Sequence, residues 1–317
     1  MRGSRVRAAA GAAAAVVAVT LPAALTACGS GDTAATGTTD RRPETDTGAR
    51  TAVRQATHLD FDRRNFTDST RIDNRWSPLT PGTRYVYEGR SDRGKGRLPH
   101  LVVFTVTDLT KVIDGVRTVV LWDRDINGGR LLEAELAFHA QDDDGNVWNM
   151  GEYPEERDGG RVTGAPDTWI AGLAKARGGI IMRSDPRVGT SSYLQGFAPS
   201  IEFNDRARVL KEGVRDCVPL RCYTDVLVTD ETNPSEPADG HQRKFYAPGV
   251  GNIRAAPAGG KEKEVLVLTQ VVRLSPDELA AARREALKLD RRGYRVSKDV
   301  YARTPPAERA PDRGRSS

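Results

Sequence analysis

Five Asp-Gly or Asn-Gly pairs punctuate the middle of the chain: Asp114-Gly115, Asn127-Gly128, Asp144-Gly145, Asp158-Gly159 and Asp239-Gly240. Such pairs favour the type I′ turn, whose two central residues both need positive φ, so each marks a hairpin tip. Between the tips, apolar residues recur with period two. Leu132, Ala134, Leu136, Phe138 and Ala140 alternate with Glu133, Glu135, His139 and Gln141, which predicts a strand with one wet face. Val102, Phe104 and Val106 repeat the stripe, as do Val116, Thr118, Val120 and Trp122. Residues 265–274 are apolar on both faces apart from Thr269, Gln270 and Arg273, the pattern of a central strand. No strand–helix–strand rhythm appears, which excludes a doubly wound parallel sheet. The expected fold is mainly β, an antiparallel β-meander curled into a half-barrel or sandwich, with one C-terminal α-helix. That helix is announced by Ser275 as N-cap, Pro276 at N1 and Glu278 at N3, a capping box. Leu279, Ala282, Ala286 and Leu289 then recur at helical spacing, with Gly293 as the expected stop.

The N-terminus speaks of location. Arg2, Arg5 and Arg7 precede an Ala/Val/Leu run that closes on Leu25-Thr26-Ala27-Cys28. A charged start, a short apolar stretch and small residues before the cut make a secretory leader. The four closing residues resemble the lipobox of bacterial lipoproteins, and that resemblance implies that Cys28 carries lipid, palmitate included, and begins the mature chain. An ordinary cleaved leader and an uncleaved membrane anchor are the alternatives. Against the anchor, Gly11 and Pro22 interrupt the run and no stop-transfer charge cluster follows. The chain divides into a leader at 1–27, a flexible tether at 28–56 and a β-rich domain at 57–274. A helix and extension follow at 275–302, and a disordered tail at 303–317. The expected location is the outer face of the cell membrane, with the lipid bilayer as a partner through Cys28.

The formal charge of +5 belongs largely to the chain ends. Losing the three leader arginines reduces it to +2, and residues 283–317 hold eleven Lys/Arg against five Asp/Glu. The body between is slightly acidic, which argues against nucleic acid as a partner, since that needs a clustered basic footprint. Besides Cys28 there remain Cys217 and Cys222, separated by Val-Pro-Leu-Arg. An even remainder outside the cytoplasm predicts a disulfide across a hairpin end. A redox or metal site is the rival, but the spacing is not Cys-x-x-Cys and no histidine is near.

Catalytic signatures are missing: no Gly-x-Ser-x-Gly, no Ser-x-x-Lys and no His-Glu-x-x-His occurs. Asp123, Asp125 and Asn127 place oxygen ligands at alternate positions, as calcium requires, but Ala134 stands where a calcium loop carries its bidentate glutamate. No cofactor is expected, with calcium the one candidate. Pairing across Asn127-Gly128 would put Asp123 and Asp125 on one face with Leu121, Leu132 and Leu136. Trp122, Trp148, Tyr85 and Tyr87 are the aromatic candidates for lining a ligand cleft, against the commoner role of such residues in cores and cross-strand pairs.

Three stretches together are similar to a family of secreted or lipid-anchored bacterial proteins common in actinobacteria. They are residues 78–89 (Pro-Leu-Thr-Pro-Gly-Thr-Arg-Tyr-Val-Tyr-Glu-Gly), residues 140–148 (Ala-Gln-Asp-Asp-Asp-Gly-Asn-Val-Trp) and residues 246–251 (Tyr-Ala-Pro-Gly-Val-Gly). The resemblance spans roughly residues 60–302 and implies a curved antiparallel sheet, without any established reaction or catalytic residues. The expected function is therefore a non-enzymatic envelope lipoprotein binding an apolar or amphipathic envelope molecule, a lipid-like ligand, on a curved sheet. A structural or protein-interaction module meeting an envelope protein is the alternative. A carboxylate-dependent hydrolase using Asp123 and Asp125 is a third.

Overall fold

A computed structural model describes residues 60–92, 96–260 and 263–311. The leader, Cys28 and the proposed tether lie outside the described residues. In chain order the strands are β1 (Thr83–Asp92), β2 (Arg97–Ile113), β3 (Val116–Asn127), β4 (Arg130–Gln141), β5 (Val147–Asp158), β6 (Arg161–Gly164), β7 (Trp169–Ile170) and β8 (Arg177–Met182). They continue with β9 (Tyr193–Ala198), β10 (Phe203–Val218), β11 (Arg221–Thr232), β12 (His241–Ala247), β13 (Gly251–Ala258) and β14 (Val265–Arg273). The helix α1 (Pro276–Val296) and a short β15 (Glu308–Arg309) complete the chain.

Twelve of these strands form a closed antiparallel ring. It runs β1-β2-β3-β4-β5-β8-β9-β10-β11-β12-β13-β14 and returns to β1. The seam pairs Thr83 with Arg273 and Arg90 with Val265. The sheet therefore goes beyond the expected half-barrel or sandwich. Residues 265–274, expected to lie centrally, are the strand that closes it, with neighbours on both sides. Closure removes the two free edges that an open meander would leave to template aggregation.

All five pairs lie between paired strands, but only Asp114-Gly115 forms the expected two-residue tip. Asp158 pairs with Arg161, so that tip is Gly159-Gly160, and Asp144-Gly145 and Asp239-Gly240 sit in longer loops. Asp114 and Gly115 both have positive φ (45° and 79°), as a type I′ turn requires. At the next tip the loop is Gly128-Gly129, not Asn127-Gly128, because Asn127 pairs with Arg130 and a bulge follows Asp125. That bulge decides which side chains face inward. Asp123 lies opposite Glu135 and Asp125 opposite Glu133, while Leu136 lies opposite Trp122. Leu121 shares the face of Asp123 as expected, but Leu136 does not.

Strand β4 is buried on both faces. Leu136, Phe138 and Ala140 point out of the barrel into a cluster containing Ala282, Ala286 and Leu289 of α1. Leu121, Ala137 and Val119 point inward, joining Tyr85, Phe104, Leu227, Ile253 and Leu268 from strands around the ring. The face read as wet is thus the barrel lumen, where Glu133, Glu135 and His139 are each at most 4% exposed.

The capping box of α1 forms as expected, with Ser275 Oγ accepting from Glu278 N and Glu278 accepting from Ser275 N. The helix runs past the expected stop to Val296, and Gly293 serves close packing instead: the Tyr301 ring lies so near that a Cβ there would meet it at 2.4 Å. The buried ammonium of Lys111, on β2, anchors the helix to the barrel by donating to Asp290 Oδ1 (2.9 Å), Tyr294 Oη (3.0 Å) and the Pro305 carbonyl (2.6 Å). Arg292 adds a bidentate pair to Glu155. Residues 303–311, expected within a disordered tail, are ordered instead, because Asp290 accepts from Ala307 N and β15 pairs with Leu109 and Thr110 of β2. Cys217 and Cys222 lie directly opposite at the end of the β10–β11 hairpin and are disulfide-bonded.

Candidate functional site

The end of the barrel that carries the Cys217–Cys222 hairpin is crossed by the segment leading into β1. Asn74 Nδ2 donates to the carbonyls of Gly145 (2.8 Å) and Arg183 (3.1 Å), and Arg75 O accepts from Gly249 N (2.7 Å). So fastened, the segment pushes Ile72 and Leu79 into the apolar cluster of the lumen. Beneath it lies a cavity of about 60 Å³, lined by Pro78, Leu79, Tyr85, Tyr87, Phe104, His139, Ile181, Tyr246, Val250 and Leu266 among others. Beside the segment a surface hollow of about 430 Å³ opens to solvent between Thr80, Leu220, Arg221, Tyr223, Val271 and Arg273. The two share Pro78, Tyr85 and Val250 as walls, so these side chains stand between the lumen cavity and the hollow at this end, the mouth, of the barrel.

The chemistry changes along the lumen. Near the mouth it is apolar and aromatic, and the tyrosines are held neutral: burial pushes the Tyr85 phenol up to about 12 and Tyr87 well above its usual range. Tyr87 Oη donates to Asn252 O at 2.9 Å, and Tyr85 Oη lies 3.3 Å from Pro78 O. His139 lines the cavity as a neutral imidazole, since burial and the nearby Lys244 ammonium hold it down at about 3. Neither of its nitrogens has a hydrogen-bond partner among the described residues. Lys244, fully buried, lies 2.8 Å from Glu231.

Farther in, the lumen is acidic. His100 bridges two carboxylates, with Nε2 2.8 Å from Asp125 and Nδ1 3.0 Å from Glu264. Burial alone would lower its pKa, but these two partners raise it to about 9, so the imidazolium is charged at neutral pH. Asp123 is 1% exposed, and among the described residues its carboxyl oxygens make no well-formed hydrogen bond, the Arg124 backbone N–H being the one donor near enough to lower its pKa. Burial, then the neighbouring Asp125 charge, pushes its pKa up to about 8.

The structure divides the aromatic candidates. Tyr85 and Tyr87 meet at the cavity, whereas Trp122 and Trp148 point outward. Trp122 lies under the Arg124 guanidinium (4.5 Å), whereas Trp148 donates to Asp142, packs on Phe61 and Phe66, and lines a separate outer hollow of about 640 Å³ with Phe61, Ile180 and Tyr193. Strand parity turns both tryptophans outward, because neighbours along a strand face opposite ways: Trp122 adjoins lumen-facing Asp123, and Trp148 adjoins Asn149, which pairs with lumen-facing His139. Asp123 and Asp125 face the lumen together, but among the described residues no three His, Cys, Asp or Glu side chains converge as a metal site would need. Asn127, the third candidate ligand, donates to Ser91 O at 3.4 Å. His139, His100, Glu231 and Lys244 are lumen groups outside the candidate sites named from the sequence. Their signal was the polar half of each alternating strand.

No protein-family profile matches the chain, and no curated protein matches it. Two solved structures bear a loose likeness to it. One, named as an exported protein with a YmcC-like fold from Bacteroides fragilis NCTC 9343, is 14% identical with a TM-score of 0.34, over 63% of this chain and 99% of its own. The other, named as a lipoprotein from Parabacteroides distasonis ATCC 8503, is 10% identical with a TM-score of 0.34, over 63% of this chain and 100% of its own. Neither source is an actinobacterium, and both likenesses are too loose to define this fold.

Proposed function

We propose that this chain is a membrane-anchored, extracytoplasmic lipoprotein that binds an amphipathic envelope molecule, without catalysis, at the mouth of its barrel. The observation that carries the reading is the shared wall of Pro78, Tyr85 and Val250 between the solvent-open hollow and the lumen cavity. An acyl chain entering along that wall exchanges water for Tyr85, Phe104 and Leu266, at about 25 cal/mol per Å² of apolar surface buried. Arg221 and Arg273 at the rim suit an anionic head group; Arg221 already stacks on Tyr223 at 4.6 Å. The cavity is far smaller than the ~300–1,000 Å³ of a pocket that engulfs its ligand. Only the end of a chain enters, therefore, and the binding surface moves from the concave sheet to the mouth.

Hydrolysis by Asp123 and Asp125 has no support in this geometry, since neither lines the cavity or the mouth. A docking role toward an envelope protein draws on one observation, the exposed Leu220 (39%) and Val271 (40%) on the same rim. Calorimetric titration of the leaderless Cys28→Ser chain with lysophosphatidylglycerol separates the two. The proposal expects saturable binding that Val250→Arg weakens at least tenfold and Arg273→Ala weakens less. No binding, or equal binding by Val250→Arg, would turn the reading toward a protein partner.

A further inference from the structure

Helix α1 is amphipathic, and its two faces do different work. Ala282, Ala286 and Leu289 are buried against the barrel, and three charged residues are spent there: Arg283 on Asp108, Asp290 on Lys111 and Arg292 on Glu155. The opposite face is exposed and carries Arg284, Lys288, Arg291 and Arg295. Steps of four, three and four residues keep these four within one narrow stripe of a 3.6-residue helix. Lys298 follows just beyond the helix end, also exposed. Of the five, only Lys288 has an ion-pair partner among the described residues, Glu285 at 2.6 Å. A run of unpaired like charges repels itself and gains nothing for folding. The half-exposed Val296 closes the same stretch with an apolar side chain.

We infer that this stripe docks on anionic phospholipid head groups of the membrane that holds Cys28. Two further observations favour a bilayer as the occupant. The described chain starts at Asp60, and Phe61 and Phe66 pack on the same outer cluster as Ala282, Ala286 and Leu289. The link to Cys28 therefore leaves the flank of the barrel that the helix covers. The 32 residues from Cys28 to Asp60 reach up to about 110 Å when extended, so the anchor does not hold that flank away from the bilayer. The body between the termini is slightly acidic, which confines the attraction to the stripe and orients the molecule. Polybasic segments of this density bind anionic leaflets and lose that binding as salt screens them. This inference shares the anchored location with the proposed function but is independent of ligand binding at the mouth.

Co-sedimentation of the leaderless Cys28→Ser chain with vesicles tests it, comparing 30% phosphatidylglycerol in phosphatidylcholine with phosphatidylcholine alone. The expected result is binding to the anionic vesicles only, abolished by 0.5 M NaCl. The combination Arg284→Glu, Lys288→Glu, Arg291→Glu and Arg295→Glu is expected to weaken it at least tenfold. A second variant with the same net charge, Arg97→Glu, Arg130→Glu, Arg161→Glu and Arg187→Glu, alters exposed arginines elsewhere and is expected to keep most of the binding. Circular dichroism melts confirm that both variants fold. No binding to anionic vesicles, or equal loss in the two variants, would overturn the inference. Loss of lysolipid binding at the mouth with vesicle binding intact would remove the proposed function and leave this one standing.

Discussion

At the scale of single residues, the lumen carries two groups that respond to pH in opposite senses. Asp123 has a folded pKa of about 8, above the ~3.9 of an unfolded aspartate. Folding takes up a proton on it, so its favourable contribution is fully present below about pH 4 and is lost as pH rises through 8. Asp123→Asn removes that dependence. The stability of the variant relative to the natural chain should rise by at least ~2 kcal/mol between pH 4.5 and pH 8 in urea unfolding, and a flat difference would contradict the buried neutral carboxyl. His139, held down at about 3, works the other way. Its contribution is present above about pH 6.5 and is lost as pH falls toward 3. His100 is fixed by charge on both sides, and His100→Gln leaves a fully buried pair of carboxylate contacts without their cation. The expected cost is about 3 kcal/mol, measured by the same unfolding experiment.

At the scale of elements, the outer layer depends on a few close fits. Gly293→Ala sets a methyl group against the Tyr301 ring and is expected to cost about 1–3 kcal/mol. Hydrogen exchange should rise first in α1 and in residues 301–309, which that ring joins; uniform loss of protection would show that the helix does not undock as a unit. Much of the element inventory was legible in the sequence. Asp114-Gly115 marked its hairpin, Ser275 and Glu278 marked the helix start, and Cys217 with Cys222 marked a stapled turn. The facing of β4 was not legible, because alternation assigns a polar stripe to water when one face is covered. Here α1 covers the apolar face and the ring encloses the polar one, so Glu133, Glu135 and His139 are all buried. One bulge after Asp125 completed the change by setting Glu135, in place of the expected Leu132, opposite Asp123. Local pattern carries neither a bulge nor a cover that arrives about 140 residues later in the chain.

At the scale of the whole molecule, closure is what distinguishes this barrel from the open sheet that its turns suggest. The seam between β1 and β14 is set by non-local pairing across nearly the whole domain, so it follows from topology and not from any local signal. Amide exchange tests it: β1 and β14 should be protected as strongly as the central β3, whereas an open half-barrel would let both exchange at the rate of edge strands. Closure also confines ligand access to the ends of the barrel, and at one of them the hollow rimmed by Arg221 and Arg273 shares Pro78, Tyr85 and Val250 with the lumen cavity. The proposed function stands on that shared wall. Native mass spectrometry of the leaderless Cys28→Ser chain, secreted from a bacterial host and not delipidated, tests it most directly. The account expects a discrete added mass of an acyl amphiphile that disappears on denaturation and is absent from the Val250→Arg variant. A bare chain mass, two hydrogens lighter for the disulfide, or an adduct that Val250→Arg retains, would contradict binding at the mouth.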